Sequence, residues 1–331
     1  MNKDFWKEEK GASLILLAFA MTAFLALAAI GLDIGTAYLR TAEVQTAADA
    51  AVMAAGLQMP VKVSDMERQN EIKQIGQGYL QKNGVSADDA TFYFAEEANG
   101  LYYRIGVDIN AVSETSFARI FGTDTITFSR GAEARAIPCV SLNDIVPLSV
   151  EESKLTTLIE SGFTEHVVLK YGSNTEEVVE GSFGAIDLDG IKGGGANDYL
   201  TWLNNGFGGY LNINDILPVE HGNMTGPTLT GVMERYNACT HYTSDGGCNE
   251  NHYVASCPRV MKVPVIVYTS GDHSYVKIVG FAAFVLEDYT TYATEGYVIG
   301  SYVDTVNVGS EYGDLSGSVQ SFGVYSLTLS R

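Results

Sequence analysis

The sequence predicts an α+β fold with a long N-terminal transmembrane helix and a helical extension, a small α-β-β-α-β unit, and then a mainly antiparallel, β-rich domain. Three observations predict this order. An uncharged apolar run lies near the N-terminus, helical periodicity rich in alanine continues beyond it, and short apolar strands separated by glycine-containing turns fill the second half. The length of 331 residues fits about two domains with a sizeable core.

The apolar run extends from Ala12 to Leu32 and carries no charge over 21 residues. At about 1.5 Å per residue, a helix of this length crosses a hydrocarbon core of about 30 Å. The run is too long for the apolar region of a signal peptide, and no small-residue cleavage site follows it directly. It therefore predicts a single membrane-spanning helix, with the lipid bilayer as its partner.

The helical pattern continues past Asp33 to Gly56, and the first proline is Pro60. We expect one helix of about 45 residues, with its first half in lipid and its second half outside. The small residues of the outer half allow two arrangements, docking on a partner helix or packing on the chain's own domain. Asp33 and Asp49 either pair with cations of a partner or are solvated.

The flanking charges predict the orientation of this helix. Lys3, Lys7 and Lys10 precede the apolar run, whereas Arg40 is the only lysine or arginine between its end and Val61. Lysine and arginine are retained on the cytoplasmic side of membrane helices. We therefore expect a cytoplasmic N-terminus and an exported remainder.

The small unit after the helix begins with an amphipathic helix and contains a hairpin. Asn99-Gly100 is typical of a tight hairpin turn, because both residues tolerate positive φ. A short helix is expected to start at Ser113 and to stop at Gly122. The expected elements are helix Ser64–Asn83, strands Thr91–Ala95 and Leu101–Ile109, helix Ser113–Phe121 and strand Thr125–Ala136.

The second region is rich in predicted strands, with two short helices. Phe281–Leu286 is a solid apolar run, which favours a central strand covered on both faces. The expected strands are His166–Tyr171, Tyr210–Ile213, Arg259–Tyr268, Tyr275–Leu286, Tyr297–Val308 and Ser321–Leu329, and the helices are Asn197–Asn205 and Pro227–Tyr236.

These elements divide the chain into five segments. They are residues 1–11 as a cytoplasmic N-terminus, 12–32 as the transmembrane helix, 33–60 as its helical extension, 61–137 as the small α+β domain, and 138–331 as the β-rich exported domain with its glycine-rich and cysteine-containing loops.

The charge is strongly acidic, with 20 basic and 40 acidic residues and a net charge of −20. Up to residue 140 there are 12 basic and 17 acidic residues, so most of the acidity lies in the second half. Nucleic acid is thereby excluded as a partner, because its phosphates would meet a surface of the same charge.

A glycine-rich stretch, residues 181–198, is the candidate for calcium binding. Asp187 and Asp189 lie two apart in an extended segment, and Asp198 follows across the glycines. Carboxylate oxygens are the ligands that Ca²⁺ prefers, although the spacing is not that of an EF-hand. The alternative is a structural turn whose aspartates bond their own backbone, and no other cofactor is expected.

The four cysteines are Cys139, Cys239, Cys248 and Cys257. An even number of cysteines in an exported domain favours disulfides, and the pairing stays open. Zinc is the rival interpretation, since His241 and His252 lie nearby. No C-x-x-C pair is present to support it.

Catalysis has little support in the sequence. It contains no G-x-S-x-G, no H-E-x-x-H and no Walker motif. The five histidines are most simply interpreted as surface or loop residues. We therefore predict that the protein is not an enzyme, and a membrane-anchored hydrolase is the residual alternative.

The junction Gly11-Ala12 resembles the site at which prepilin-type peptidases cut, just before an apolar helix. A type IV pilin carries glutamate five residues after the cut, where this chain has Leu16. Cleavage after Gly11 and a plain juxtamembrane glycine are therefore both open.

The N-terminal region resembles the TadE/TadG-like region of tight-adherence (Flp) pilus-assembly proteins. The matching pattern covers residues 9–56 and consists of Glu9–Ala12, the apolar run, Leu32–Gly35, Tyr38–Leu39 and Gln45–Ala51. Val52 and Met53 depart from the usual alanine tail.

The exported region is similar to a subgroup with glycine-rich periplasmic domains. The stretches that carry this similarity are Gly181–Asp198, Gly222–Gly231, Cys257–Val265 and Val279–Phe284, while the D-x-S-x-S metal motif of relatives with a von Willebrand domain is missing.

The resemblance implies a single-pass protein of the bacterial inner membrane, with its C-terminal domain periplasmic or at the cell surface. It implies a structural or assembly role in a pilus or secretion apparatus, with partner proteins contacted through the N-terminal helix, and no catalytic residues. Two alternatives stay open: an anchored exported module that binds calcium or glycan, and a processed, pilin-like minor subunit.

Overall fold

The structure is a computed structural model. It describes residues 9–98, 100–160, 166–172, 182–193, 195–222, 224–269, 271, 273–286, 296–307, 311–312 and 320–330. The helices are α1 Glu9–Gly56, α2 Met66–Lys82, α3 Glu152–Glu160, α4 Gly195–Asn205 and α5 Thr225–Asn237. The strands are β1 Val61–Lys62, β2 Ala90–Ala98, β3 Leu101–Glu114, β4 Thr125–Leu142, β5 Val150–Glu151, β6 Val167–Lys170, β7 Ser182–Ile186, β8 Leu211–Asn212, β9 Ile216–His221, β10 Val260–Tyr268, β11 Tyr275–Leu286, β12 Val298–Val303, β13 Thr305–Val306, β14 Glu311–Tyr312 and β15 Val324–Ser330.

The α+β class is confirmed, and so is the single long helix. α1 is unbroken over 48 residues. The glycine at its last position, Gly56, has a steric reason: a Cβ there would lie 2.8 Å from Cδ1 of Leu327 and 3.0 Å from Cβ of Ala134. A glycine therefore lets the end of the helix approach the first sheet closely.

The first sheet has the strand order β1-β3-β4-β15-β13, with β2 also paired to β3. α1 and α2 pack on this sheet, and the small alanines of α1 share one core with Ile105 and Ile109 of β3. β15 pairs antiparallel with β4, from Tyr325 opposite Pro138 to Ser330 opposite Glu133. The C-terminal strand thus lies in the same sheet as the elements before residue 137, while the division at that residue stays a prediction.

The hairpin of β3 and β4 differs from the predicted elements. The helix expected over Ser113–Phe121 is reduced to one 3₁₀ turn, Ala118–Phe121, because β3 continues to Glu114. The last residues of β3 alternate strictly between buried and exposed, which is the two-residue period of a strand. The stop at Gly122 is confirmed, with φ of 85°.

The second sheet has the strand order β5-β10-β11-β12-β6, and β9 pairs with β11 and β7. The prediction that Phe281–Leu286 forms a central, doubly covered strand is confirmed. Phe281, Ala283 and Val285 point into one buried cluster, and the three residues alternating with them point into another. α3, α4 and α5 contribute to the second of these clusters through Leu155, Leu203 and Val232.

Candidate functional site

The N-terminal half of α1 presents its apolar side chains to the outside. This half is long and apolar enough to cross a membrane, and none of it is buried inside the protein. The large apolar side chains that are exposed on α1 up to the start of the domain core are Leu14, Ile15, Leu16, Leu17, Phe19, Met21, Phe24, Leu25, Leu27, Ile30, Leu32, Ile34, Tyr38 and Leu39. Gly11 and Ala12, the predicted peptidase site, lie at the start of α1, where only the backbone is described.

The C-terminal half of the same helix packs into the hydrophobic core beneath the first sheet. Its buried residues are completely shielded from solvent, and they are Val44, Ala47, Ala48, Ala51, Val52 and Ala55. The sequence left open whether this half docks on a partner or on its own domain. The structure answers in favour of the chain's own domain.

Asp33 binds the tip of the β3–β4 hairpin. Its carboxylate accepts hydrogen bonds from the backbone N–H groups of Ser116 at 2.7 Å, Phe117 at 3.0 Å and Ala118 at 2.6 Å. These amides open the 3₁₀ turn, so the carboxylate takes the place of a helix N-cap. Both interpretations from the sequence, a partner's cation and solvent, are wrong for Asp33.

The hairpin tip held by Asp33 is apolar and exposed. Ile120 is 75% exposed and Phe121 is 81% exposed. Farther along the helix, Gln45 Nε2 donates to the carbonyl of Gly131 in β4 at 3.1 Å. The hairpin therefore runs beside α1, from the domain core to the point where the uncharged run ends.

A second group of functional side chains lies in the loop between α5 and β10. One ligand atom from each of Cys239, His241, Cys248 and Cys257 lies within 4.8 Å of all the others. We call these four residues the Cys/His cluster. The N–H of Cys248 donates to Sγ of Cys239 at 3.4 Å. Nδ1 of His241 is buried and has no hydrogen-bond partner among the described residues.

Two buried arginines position the loop that carries the cluster. Arg259 donates to the carbonyls of Gly246 at 2.9 Å and Cys248 at 3.3 Å, and its guanidinium stacks 3.5 Å from the ring centroid of Tyr236. Arg235 donates to the carbonyl of Pro258 at 2.8 Å. The loop is thus fixed to α5 on one side and to the start of β10 on the other.

Two thiols of the cluster, Cys239 and Cys257, differ in their pKa values. Burial raises the pKa of Cys239, but hydrogen bonds to its sulfur, including the one from the Cys248 amide, outweigh burial and lower it to about 6. Burial raises the pKa of Cys257 to about 12, and the neighbouring thiols Cys239 and Cys248 add to the effect. Of these two thiols, Cys239 is therefore the one that loses its proton more readily.

The prediction of disulfides is not confirmed by the structure. None of the four cysteines, all of which lie in described residues, is in a disulfide. Cys139 lies in β4 and is buried in the same core as Cys248 and Cys257, but it does not belong to the Cys/His cluster. The sequence signal that points to the Cys/His cluster is the spacing of Cys239 and His241, which are separated by one residue.

The predicted calcium ligands are not brought together. Asp187 is buried, and its carboxylate accepts from the N–H of Gly193 at 3.1 Å. Asp189 accepts from the N–H of Ile191 at 2.8 Å, while Asp198 lies in the first turn of α4. In the described part of the chain, the Cys/His cluster is the one such group of metal-ligating side chains. These contacts fit the alternative of aspartates bonding the local backbone.

A cleft of about 1080 Å³ lies beside the cluster. Its lining includes Pro60 after α1, Arg68 of α2, Cys257 and Asp304. Hydroxyls of Tyr302 and Tyr325 lie 3.2 and 3.4 Å from Oδ1 of Asp304. Burial raises the pKa of Asp304 to about 6, although these hydrogen bonds and the charge of Lys62 oppose the change.

No family model matches the chain, and no curated protein or solved structure matches it.

Proposed function

We propose that this protein is a single-pass membrane protein whose exported domain serves as a structural or assembly component of a tight-adherence (Flp)-type pilus or secretion apparatus. The observation that carries the proposal is the continuity of α1. The exposed apolar half and the core of the first sheet belong to one unbroken helix. A domain built around its own anchor stands at a fixed height above the bilayer.

The hairpin tip supports the same proposal. Asp33 follows the uncharged run directly, so in this proposal the loop that it binds would lie at the membrane surface. Ile120 and Phe121 are then positioned to insert at the boundary between headgroups and acyl chains, where aromatic and aliphatic side chains are favourable. The domain is thereby supported at two points, the helix and the hairpin tip.

The orientation belongs to the proposal too. The lysines before the apolar run favour a cytoplasmic N-terminus, so the two sheets would lie outside the cytoplasm. The resemblance of residues 9–56 to TadE/TadG-like proteins supports the assignment to a pilus apparatus. Processing after Gly11 would make the protein a pilin-like subunit, and its absence would make it a fixed anchor.

Contact of the hairpin tip with lipid is tested by tryptophan fluorescence. We expect the Ile120→Trp variant, in a background with Trp6→Phe and Trp202→Phe, to be strongly quenched by lipids brominated in their acyl chains. The full chain is reconstituted in vesicles for this measurement. Quenching is expected because the exposed tip adjoins the end of the uncharged run.

The matched control is Ile191→Trp in the same background. Ile191 is 67% exposed, close to the 75% of Ile120, but it lies in the loop between β7 and α4. We expect little quenching there. An unquenched Ile120→Trp would contradict the contact of the hairpin tip with the bilayer.

The assembly role is tested by photo-crosslinking in native membranes. A photoreactive residue at Tyr38, which is 75% exposed on α1, is expected to capture a pilus or secretion protein. The control position is Tyr210, which is 53% exposed and directly precedes β8, away from α1 in the sequence. Capture of lipid alone at Tyr38 would count against an assembly role and leave the anchoring intact.

Mass spectrometry of the native N-terminus distinguishes the two forms of the proposal. Ala12 as first residue, in protein sheared from the surface, would identify a filament subunit. An N-terminus upstream of Gly11, in the membrane fraction, would identify an anchor.

A further inference from the structure

We propose that Cys239, His241, Cys248 and Cys257 together bind one zinc-class divalent ion. This ion would be structural and would hold the loop between α5 and β10 to the core of the second sheet. The inference goes beyond the proposed function and does not depend on it.

The arrangement of the four ligand atoms is the first argument. Zinc takes four ligands in a tetrahedron, with Zn–S of about 2.3 Å and Zn–N of about 2.0 Å, which places ligand atoms roughly 3.8 Å apart. The four atoms of the Cys/His cluster all lie within 4.8 Å of one another. Small side-chain rotations would therefore bring them to bonding distance around one centre.

The unsatisfied nitrogen of His241 is a second and independent argument. Nδ1 of this residue is buried without a hydrogen-bond partner among the described residues. A buried polar atom without a partner costs free energy, and the cost disappears when the imidazole becomes a metal ligand. His241 also stands two residues from Cys239, so one turn of the loop supplies both ligands.

The chemistry of the donors selects the metal. Three thiolates and one imidazole suit zinc and other soft or borderline ions, whereas calcium and magnesium require oxygen ligands. Four protein ligands complete the tetrahedron and leave no position for water or substrate. A closed set of this kind is typical of structural rather than catalytic zinc.

The surroundings of the cluster fit a structural role. Between Asn237 and Val260, the chain contains only a three-residue 3₁₀ turn, Thr243–Asp245, as regular structure. Arg259 orients the backbone of Cys248 through its carbonyl, in the manner of groups that support metal ligands from outside the coordination sphere. An ion would add a cross-link to a segment that is otherwise held by hydrogen bonds and by packing of its buried side chains.

A disulfide within the cluster is the competing arrangement. It would join two of the three clustered sulfurs and leave the third thiol and His241 without a role. Thiol content and metal content therefore give opposite results for the two arrangements.

The test uses the full chain purified from membranes without chelator or reductant. We expect about one zinc ion per chain by elemental analysis. We also expect all four cysteines to react with a thiol reagent after unfolding in chelator, with no reductant added. A metal-free protein, or a mass lower by a pair of hydrogens for each bridge, would overturn the proposal.

Variants assign the ion to these four residues. Cys248→Ser and His241→Gln are expected to lose most of the bound zinc, whereas Cys139→Ala is expected to keep it, because Cys139 is equally buried outside the cluster. Cobalt exchanged into the unaltered chain should show thiolate-to-metal charge-transfer absorption. This measurement needs no variant, so it does not depend on whether the variants fold. Zinc retained by both ligand variants, or cobalt bound without that absorption, would contradict the assignment.

Discussion

Replacing Ala51 with leucine is expected to destabilise the folded domain by about 1–3 kcal/mol, because the extra carbons overfill a close-packed core. Ala51 lies on the buried face of α1 and is completely shielded from solvent. It shares the core with Ile105 of β3 and Ala134 of β4. The measurement is thermal or denaturant unfolding of the full chain in detergent, followed by a spectroscopic signal from the domain that packs on the C-terminal half of α1.

The matched control makes the same substitution at Ala42, which is exposed on the same helix. Leucine at an exposed helix position changes stability little, so Ala42→Leu should unfold like the unaltered chain. An unchanged unfolding midpoint for Ala51→Leu would mean that α1 is not part of the cooperative core. In that case the fixed height of the domain above the bilayer would lose its basis.

The second large effect is expected at Asp304. Its pKa is 3.8 in an ordinary setting and about 6 in the folded protein, where burial disfavours the charged form. Between these two pH values the folded chain binds the proton more tightly than the unfolded chain. The free energy of unfolding therefore falls as pH rises from about 4 to about 6, and it stays lower above that window.

Asp304→Asn should remove this penalty. Its amide oxygen can still accept from the hydroxyls of Tyr302 and Tyr325, which lie within hydrogen-bond reach of the native carboxylate. We expect the free energy of unfolding at pH 7 to increase by about 1–3 kcal/mol, since one pKa unit corresponds to about 1.4 kcal/mol. Solvent in the neighbouring cleft reduces the cost of the charge, so the gain is expected to be smaller than full burial would give. Little difference from the unaltered chain is expected below pH 4.

The control for Asp304→Asn is Asp124→Asn, at an exposed aspartate on the β3–β4 hairpin. It removes one exposed carboxylate outside the cleft and should not give the gain in stability expected for Asp304→Asn at pH 7. If Asp304→Asn lowered stability at pH 7, the charged form would be the favoured one in the fold. The expected direction would then be wrong.

The elements that the sequence predicted best are those whose signal is local. The apolar run, the alanine periodicity and the stop at Gly56 together defined α1. The solid apolar run Phe281–Leu286 defined a central strand, because alternate residues serve two buried clusters. Strand β11 has the predicted bounds, Tyr275–Leu286.

The features that the sequence did not predict depend on contacts between residues far apart in the chain. The pairing of β15 with β4 joins segments nearly 200 residues apart, and no pattern in either strand names its partner. Asp33 acts through backbone amides more than 80 residues away, which carry no sequence signal. α3 was missed because a short run with Ser153, Thr156 and Thr157 has weak helix propensity, so packing of Leu155 and Leu158 decides its conformation.

The sequence identified the cysteines and His241 as candidate site residues, but it did not predict which of them lie together. Residue type and an exported setting favoured disulfides, but which sulfurs meet depends on how Arg235 and Arg259 shape the loop. For the three aspartates, Asp187, Asp189 and Asp198, the sequence suggested a group that the structure does not bring together. Their spacing suggested one ligand set, yet Asp187 and Asp189 each satisfy a nearby backbone amide instead.

The unbroken course of α1 has a mechanical consequence. If α1 is the anchor proposed above, no joint separates the anchor from the domain, and a tilt of the helix would be transmitted directly to the domain. About 35 Å separates Asp33 from Gly56 at the usual rise of 1.5 Å per residue. Transmembrane helices tilt by about 20° on average, which would carry the far end sideways by about 12 Å. Bilayer thickness would then influence the tilt of α1 and with it the orientation of the second sheet. Contact of the hairpin tip with the bilayer would limit this tilt.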